Sequence, residues 1–325
     1  MSDDQKIAVV DIGGTHARFA IAHMAEIDAI TVKDVIKMRV DKHASLQLAW
    51  EAYADQIGQR LPKEGAIALA APIHNDVMQL TNSSWIIQPS LLSSDMKLDR
   101  FTLVNDFGAA AHAIAGMEQK SFTHICGPQN PLNGDGLISV VGPGTGLGVA
   151  HLQRNEVGYR VTQTEGGHID FAPLDILEDK ILNNLRQQYQ RVSVERVVSG
   201  PGLQNIYQSL ADLEGLEPKR MSDQELWQNA SNADDPLAAA ALGRFCMCFG
   251  AIAGDLVLAQ GANNLVITGG LASRFGERLL TSGFQHRFVA KGRFQSHMEN
   301  IGVYLAADDD LGLKGAAAAF IQEHQ

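Results

Sequence analysis

Two stretches of the chain repeat one pattern of apolar and small residues. Each begins with an apolar, β-branched run, passes through a turn of glycine and threonine, and continues into a second apolar run. Such a pattern predicts two β-strands joined in a hairpin. The predicted strands of the two hairpins span residues 7–10, 18–22, 137–141 and 148–152. Aligning the first strand of each hairpin places Gly13 on Gly144, which indicates an internal duplication.

Between and after the hairpins, the chain alternates strand-like and helix-like spacing of apolar residues. Short apolar runs predict further buried strands at 66–71, 100–104 and 264–268. Helical spacing predicts helices at 44–57, 107–115, 177–190, 202–213, 238–260 and 313–322. The second hairpin is expected to continue into a third strand that residues 165–168 interrupt. This order of elements predicts an α/β fold in which the first half is repeated.

The composition is that of an ordinary soluble globular protein, and the charge narrows the classes of partner. The 325 residues are 45% hydrophobic and 19% charged. With 26 basic and 37 acidic residues, the net charge is −11. This acidity argues against general binding to nucleic acid or to an anionic membrane. It is compatible with a local anion site built from backbone amides.

The cysteines and the N-terminus predict a protein of the reducing cytoplasm. Cys126, Cys246 and Cys248 are too few and unsuitably spaced for a disulfide framework. The first residues are polar and lack the apolar core of a signal peptide. The most apolar window, 245–258, is interrupted by Asp255 and is too short to span a bilayer.

Glycines at the ends of predicted strands carry the first candidate chemistry. A strand that ends in a glycine turn directs several backbone N–H groups towards one point, which makes a binding site for an anion. Two such turns suggest two half-sites on one polyphosphate. The familiar nucleotide motifs are absent, because no Gly-Lys dipeptide occurs and Leu147 replaces the last glycine of the dinucleotide fingerprint. A third pair, Gly269-Gly270, either allows tight strand-to-helix packing or forms a flat floor for an adenine ring.

Only the first turn carries a carboxylate, Asp11, whose counterpart in the alignment is Gly142. Asp11 directly follows four residues of buried-strand character, where an unpaired carboxylate is energetically costly. A Mg²⁺ ion, bound directly or through water, would offset this cost. The alternative is a plain glycine hairpin in which Asp11 serves only solubility.

Asn105 and Asp106 follow the predicted strand at 100–104 and precede a predicted helix. At this position Asp106 could be the N-cap that accepts hydrogen bonds from the first amides of the helix. It could instead be a general base that orients and deprotonates an attacking hydroxyl group. Asn105 can both donate and accept hydrogen bonds, which suits a polyol ligand.

Further along the chain, Glu165 and His168 flank two glycines that would let the backbone approach a ligand closely. The pair suggests a polar ligand rather than a metal, because no cysteine or second histidine lies at ligand spacing. The alternative is a structural histidine beside an ordinary loop charge. Glu195 could likewise be a surface residue that pairs with Arg191 or Arg196.

Six motifs occur in a recognisable order along the chain. They are Asp-Ile-Gly-Gly-Thr, Val-Asn-Asp-Phe, Gly-Pro-Gly-Thr-Gly-Leu-Gly, Glu-Gly-Gly-His-Ile-Asp-Phe-Ala-Pro, Val-Glu-Arg-Val-Val-Ser-Gly-Pro-Gly-Leu and Ile-Thr-Gly-Gly. From about residue 7 to residue 319, the chain resembles the bacterial glucokinase family, within the hexokinase, Hsp70 and actin superfamily of folds. The glycine turns alone indicate the superfamily, whereas the Glu-Gly-Gly-His and Val-Glu-Arg blocks are specific to glucokinases of this type.

This resemblance implies an α/β fold of two actin-like, RNase H-like ATPase domains with a sugar-binding cleft between them. The expected domains are a small N-terminal domain of residues 1–115 plus about 305–325, and a large domain of residues 116–304. The implied activity is ATP-dependent phosphorylation of glucose at O6, which gives glucose 6-phosphate for glycolysis. The rival interpretations are a sugar-sensing regulator on a kinase fold and an actin-like ATPase that needs no sugar.

The resemblance also implies a role for each candidate residue. The residues expected to bind ATP are Val10, Asp11, Ile12, Gly13, Gly14, Thr15, Gly144, Thr145, Gly146, Gly269 and Gly270. Those expected to bind the sugar are Asn82, Asn105, Asp106, Glu165, His168 and Glu195. Asp106 would be the catalytic base for the 6-hydroxyl group, and Asp11 would bind Mg²⁺, through water.

The expected partners are glucose and ATP with Mg²⁺, without nucleic acid or membrane, and a homodimer is common among relatives. A neighbouring family, the repressor/ORF/kinase sugar kinases, carries a zinc-binding cysteine cluster after its glycine-histidine pair. In this chain no cysteine lies between His168 and Cys246. We therefore expect no structural zinc.

Overall fold

A computed structural model describes residues 5–24, 27–71, 73, 76–79 and 85–324 of the protein. The chain divides into two compact units. The first comprises Met1–Glu118, Val161–Gln163 and Asp308–Gln325, and the second comprises Gln119–Arg160 and Thr164–Ala307. The predicted domains divided the chain at 115/116 and about 304/305, whereas these units divide it at 118/119 and 307/308.

Strands and helices alternate through both units. In chain order the strands are β1 (Gln5–Ile12), β2 (His16–Met24), β3 (Ile30–Arg39), β4 (Glu64–Leu69), β5 (Met78–Gln79), β6 (Ile86–Ile87), β7 (Arg100–Asn105), β8 (Thr123–Cys126), β9 (Gly136–Pro143), β10 (Leu147–Asn155), β11 (Gly158–Thr164), β12 (Asn264–Ile267) and β13 (Gly302–Leu305). The helices are α1 (Leu46–Ile57), α2 (Pro89–Met96), α3 (Asp106–Gly116), α4 (Ile176–Gln188), α5 (Gly200–Glu214), α6 (Asp223–Asn232), α7 (Pro236–Gln260), α8 (Ala272–Thr281), α9 (Phe284–Val289), α10 (Gln295–Met298) and α11 (Leu311–His324).

The first unit is built on a sheet with the strand order β3-β2-β1-β4-β7. β1 and β2 form the predicted antiparallel hairpin, while β4 runs parallel to β1 and β7 runs parallel to β4. In this register Ile12 pairs with Leu69, and Leu69 pairs with Asn105. The carboxyl ends of three parallel strands therefore meet at one edge, which is where ligands bind in open α/β sheets.

β1 directs successive apolar side chains to opposite faces of this sheet. Both faces must therefore be buried, and helices cover each of them. Val10 packs in a cluster with Trp50 of α1, whereas Val9 packs in the cluster under α11. The helices α3 and α11 pack so closely that a side chain at Gly315 would overlap the carbonyl oxygen of Ala109. The glycine and alanine content of α11 is what allows this close packing.

The second unit contains a sheet with the strand order β11-β10-β9-β12-β13-β8. Its first five positions repeat the topology of the first sheet: β9 pairs antiparallel with β10, β12 is parallel to β9, and β13 is parallel to β12. This repetition confirms the predicted duplication. Val141 pairs with Ile267, which pairs with Leu305, so three carboxyl ends again meet at one edge.

The long helix α7 forms the centre of the second unit. Phe245 and Phe249 on α7 are fully buried and contact the ring of Phe275. Of the helices in the described ranges, only α7 is long and apolar enough to cross a membrane, and 67% of its most apolar window is buried inside the protein. The apolar window at 245–258 was judged too short to span a bilayer, whereas the whole of α7 has 25 residues. Because most of its apolar window is buried inside the protein, α7 is a core helix.

Most of the predicted strands and helices match the observed ones to within a few residues. The expectation that residues 165–168 interrupt a strand is wrong, because β11 ends at Thr164 and a 3₁₀ turn, Gly166–His168, follows it. The apolar pattern did not predict β3, β5, β6, β8, β13, α2, α6, α8, α9 or α10. Several of these elements are only four to eight residues long, and β3 is largely exposed, so their apolar signal is weak.

Candidate active site

The first glycine turn joins β1 to β2 at the carboxyl edge of the first sheet. The Gly13 amide donates to the carbonyl oxygen of His16 over 2.9 Å, which closes the turn. Thr15 is exposed, whereas the side chains of Val10 and Ile12 are completely buried in the core. Val10 and Ile12 can therefore offer a ligand only their backbone atoms.

Asp11 lies against the first turn of α11, where a side chain at Gly312 would overlap the Oδ2 atom of the carboxylate. Asp11 also pairs in register with Arg18, whose guanidinium donates to the Asp310 carboxylate and to the carbonyl oxygen of Asp309. Burial raises the pKa of Asp11, and the charge of Arg18 opposes this rise. A carboxylate enclosed in this way is not explained by solubility alone.

The chemistry of Asp11 fits that of a Mg²⁺ ligand, because a cation would keep this partly buried carboxyl group ionised. Across the residues that the structure describes, no group of three or more His, Cys, Asp or Glu side chains is arranged to hold a metal ion. Mg²⁺ characteristically binds through one or two carboxylates together with water and the phosphates of a substrate. Asp11 would thus be one ligand among several that the nucleotide and water supply.

Asn105 and Asp106 lie at the same edge of the first sheet, at the junction of β7 and α3. Asp106 does not occupy the N-cap position of the helix, although its Oδ1 accepts from the Phe107 amide at 2.9 Å. The cap is Asn105, whose Oδ1 accepts from the amides of Phe107 at 2.9 Å and Gly108 at 3.2 Å. Asp106 is instead the first residue of α3, where the helix dipole favours its negative charge. The side-chain amide of Asn105 lies 3.4 Å from the carbonyl oxygen of Ala71.

The second glycine turn joins β9 to β10 at the carboxyl edge of the second sheet. The Gly144 amide donates to the carbonyl oxygen of Gly146 over 2.8 Å, and the Gly144 carbonyl accepts from the Gly200 amide over 2.7 Å. The second bond attaches the turn to the start of α5. Thr145 at the tip of the turn is exposed, as Thr15 is in the first turn.

Gly269 and Gly270 follow β12 beside this second turn. The Thr268 amide donates to the carbonyl oxygen of Val141 over 3.0 Å, which keeps the chain next to β9. Gly269 has a φ of +103°, a conformation that favours glycine, and a side chain there would lie 3.2 Å from the Pro143 carbonyl oxygen. Gly270 is exposed, and a side chain there would meet open space. Bare backbone thus lies next to the candidate phosphate turn.

Glu165 and His168 stand at the two ends of the 3₁₀ turn that follows β11. The turn packs flat on β10, since a side chain at Gly167 would overlap the Leu147 carbonyl oxygen and one at Gly166 would lie 3.1 Å from Val149. The side chains of Glu165 and His168 are both exposed, that of His168 to 58%. The paired glycines therefore place an acid and an imidazole on one short rigid segment.

Glu195 lies between the 3₁₀ turn and the second glycine turn. Its Oε1 is 3.7 Å from Nδ1 of His168, and its Oε2 is 2.6 Å from the position that a Cβ on Gly146 would occupy. The alternative of a surface ion pair is wrong, because Arg191 binds Asp170 and Arg196 lies over the ring of Tyr189. The Glu195 side chain is only 19% exposed. Two candidate sugar residues and one candidate phosphate turn therefore meet within the second unit.

Comparison with known proteins shows to which family the chain belongs. The glucokinase family model matches residues 8–323. A glucokinase of Zymomonas mobilis subsp. mobilis is 51% identical over 319 residues, which cover 98% of each chain. The chain belongs to the glucokinase family. Its fold agrees, since the crystal structure of a glucokinase from an Antarctic psychrotroph gives a TM-score of 0.85 at 33% identity, covering 98% of this chain and 100% of that one.

A more distant structure supports the fold of this glucokinase-family protein. The glucokinase of Balamuthia mandrillaris, solved in complex with glucose, gives a TM-score of 0.80 at 23% identity and covers 98% of this chain and 94% of that one. The protein thus has the predicted α/β fold with two actin-like ATPase domains.

The candidate residues of this glucokinase-family protein divide between the two units. The first unit holds Val10, Asp11, Ile12, Gly13, Gly14, Thr15, Asn105 and Asp106, which lie along one sheet edge. The second unit holds Gly144, Thr145, Gly146, Glu165, His168, Glu195, Gly269 and Gly270. Asn82 lies outside the described residues.

The sequence analysis assigned no role to two residues that contact Asp11. Arg18 faces Asp11 across the β1–β2 hairpin, and Gly312 leaves the space that the carboxylate occupies. Arg18 could have been found from the hairpin register alone, because the pairing of Ile12 with Ala17 brings it opposite Asp11. Gly312 gave no such signal, because its contact depends on the packing of α11.

Proposed function

We propose that the protein is a glucokinase, which transfers the γ-phosphoryl group of ATP to O6 of glucose and releases glucose 6-phosphate. The observation that carries this proposal is the position of Glu195, with its two oxygens beside His168 and Gly146. Groups that accept hydrogen bonds from sugar hydroxyls thus adjoin a turn whose amides suit a phosphate. An ATPase that acts without sugar would have no use for this arrangement.

The two glycine turns would hold the phosphates of ATP. Each turn is closed by its own backbone hydrogen bond, from Gly13 to His16 and from Gly144 to Gly146, so its remaining amides are already ordered before a ligand arrives. Preorganised amides stabilise negative charge that develops during transfer without a cost of reorganisation. Gly269 and Gly270 would contact the adenosine, since bare backbone permits a close approach.

Asp106 would accept the proton of the glucose 6-hydroxyl group as that oxygen attacks the γ-phosphorus. Asn105 accepts from the amides of both Phe107 and Gly108, so capping of α3 does not depend on the Asp106 carboxylate, which shares only the Phe107 amide. Its position at the carboxyl edge of the sheet that also carries the first glycine turn supports this role. Phosphoryl transfer depends mainly on positioning and electrostatic stabilisation, so orienting the hydroxyl matters as much as removing its proton.

Glu165, His168 and Glu195 would bind other hydroxyl groups of the sugar, with contributions from Asn105 and Asn82. A carboxylate accepts from hydroxyl groups through charge-assisted bonds, and an imidazole can donate or accept. Rigid placement of Glu165 and His168 by Gly166 and Gly167 would reduce the entropic cost of binding.

When bound, Mg²⁺ would neutralise part of the phosphate charge during transfer. Asp11 would hold it, through water, and Arg18 and α11 would keep the carboxylate of Asp11 in place. We also propose that the protein works in the cytoplasm, supplies glycolysis and forms a homodimer.

The test is a coupled assay of ADP formation by the purified protein, with and without glucose. A glucokinase forms ADP only when glucose is present. A filament-type ATPase would form ADP equally in both arms, and a sugar-sensing regulator would form none in either arm. A panel of mannose, fructose and alternative phosphoryl donors would then define the specificity.

A further inference from the structure

Four charged side chains form a cluster at the start of α4 in the second unit. Nη1 of Arg244 lies 2.5 Å from the Asp175 carboxylate and 2.8 Å from that of Glu178. Nη2 of Arg287 lies 2.5 Å and 3.3 Å from the same two carboxylates. Glu178 is only 2% exposed, and both arginines are largely buried. The cluster is electrically balanced, with two positive and two negative groups.

A balanced buried cluster is weak evidence for stability, because desolvation of its charges offsets much of their attraction. This cluster also fixes a stretch of backbone. Oε2 of Glu178 accepts from the Leu174 amide over 2.8 Å, and Oδ1 of Asp175 accepts from the Glu178 amide over 2.9 Å. The two arginines, from α7 and α9, therefore hold the segment that enters α4.

That segment leads back directly to the candidate sugar residues. Between His168 and Asp175 the chain forms two bonds to residues 192–194, which directly precede Glu195: the Phe171 amide donates to the Val192 carbonyl over 3.0 Å, and the Val194 amide donates to the Ile169 carbonyl over 2.9 Å. Asp170 and Ser193 form an isolated antiparallel bridge between these bonds.

The segments that carry His168 and Glu195 are thus tied to each other, and α4 connects their far ends. One end of the resulting loop is the 3₁₀ turn packed on β10. The other end is the charged cluster. If the cluster were displaced, residues 169–175 would move with it. That movement would shift the Asp170–Ser193 bridge and so change the distance between His168 and Glu195.

We propose that Arg244 and Arg287 are positioning residues for the sugar. They hold Asp175 and Glu178, which fix residues 169–175 and so set His168 against Glu195. This inference rests on the proposed function, because it assumes that His168 and Glu195 bind glucose. The alternative is a cluster that only stabilises the second unit.

The test compares two double variants that each remove one acid and one base. Glu178→Ala with Arg287→Met removes the acceptor for the Leu174 amide and leaves Arg244 paired with Asp175. Lys219→Met with Asp235→Asn, the matched control, removes another ion pair of the second unit and keeps a side chain that can cap α7.

For the cluster variant we expect the KM for glucose to rise by about tenfold, because a small displacement of positioned groups weakens binding strongly. The KM for ATP should stay within about twofold in both variants, and the control should keep the KM for glucose of the parent. An unchanged KM for glucose in the cluster variant, with a loss of Tm like that of the control, would overturn the proposal.

Hydrogen exchange of the folded proteins gives an independent measurement. The cluster variant should exchange faster than the parent at residues 169–175 and 192–195, and the control should not. If the cluster variant does not fold, Arg287→Met alone, which removes one of the two proposed positioning residues, serves in its place. Equal exchange in parent and variant would contradict the proposal. If the parent fails to phosphorylate glucose, the proposed function is wrong, and the exchange result still decides whether the cluster fixes the two segments.

Discussion

The carboxylate of Glu195 and the imidazole of His168 face each other, with 3.7 Å between Oε1 and Nδ1. Both side chains belong to segments joined by the Asp170–Ser193 bridge, so their separation is fixed by backbone hydrogen bonds. The gap is longer than a direct hydrogen bond. A sugar hydroxyl group can donate a hydrogen bond to the carboxylate and form a second one with the imidazole, so a single hydroxyl group can bind to both residues.

Glu195→Gln tests the sugar role of this pair. The amide keeps the shape of the side chain but removes the charge that strengthens its hydrogen bonds to hydroxyl groups. We expect the KM for glucose to rise by about tenfold, since a charge-assisted bond contributes about 1.5 kcal/mol or more. Steady-state kinetics at saturating ATP provide the measurement. Glu217→Gln, at an exposed carboxylate, is the control and should behave as the parent does.

Asp106→Asn tests the base. Because Asn105 caps α3, the substitution should leave the helix in place. Glucose binding, measured by calorimetry, should change little, whereas kcat should fall by about 10²-fold or more. The exposed Asp55→Asn serves as control. Near-normal turnover in Asp106→Asn would remove Asp106 from the catalytic role.

Gly312→Ala tests the position of Asp11 without changing the carboxylate itself. The added methyl group would overlap Oδ2, so the side chain of Asp11 must rotate away. If Asp11 holds Mg²⁺ for the nucleotide, the KM for MgATP should rise severalfold while the KM for glucose stays constant. Gly134→Ala, where a side chain meets open space, is the matched control. Equal MgATP kinetics in the two variants would contradict the role of Asp11.

His112 on α3 predicts a dependence of stability on pH. Burial lowers the pKa of His112 from 6.5 to about 4, so the folded protein holds the imidazole neutral. The unfolded chain binds this proton first as the pH falls, and the free energy of unfolding contributed by His112 is therefore present above pH 6.5 and lost towards pH 4. Between pH 7 and pH 5 the loss should be about 2 kcal/mol.

Urea denaturation at several pH values measures this loss. A His112→Gln variant should show a shallower decline between pH 7 and pH 5 than the parent does. Equal slopes for parent and variant would show that His112 does not cause the decline.

The elements of the fold could be predicted from the sequence wherever an apolar run was long or repeated. The glycine turns at Gly13 and Gly144 were found because each stands between two β-branched runs. In contrast, β3 shows mostly exposed residues and carries little apolar signal. Residues 165–168 were misjudged because the packing of Gly167 on Leu147 depends on a strand that is distant in sequence.

The candidate site, like the fold, could be predicted from the sequence only in part. The sequence presented Asp106 as a possible helix cap, and only the hydrogen bonds of Asn105 decide which residue fills that position. The nearness of Glu195 to Gly146 was also out of reach, because it depends on how α5 starts beside the second turn. Motifs in the sequence indicated which residues are candidates for binding, whereas the contacts of those residues could be known only from the folded structure.

The central claim is that this protein joins phosphate to O6 of glucose. The most direct measurement is ¹³C and ³¹P NMR of the product formed from ATP and glucose labelled with ¹³C at C6. We expect the C6 resonance to shift and to show coupling to phosphorus, with one ADP released for each ester formed. Phosphate at another carbon, or ADP accompanied only by inorganic phosphate, would contradict the account.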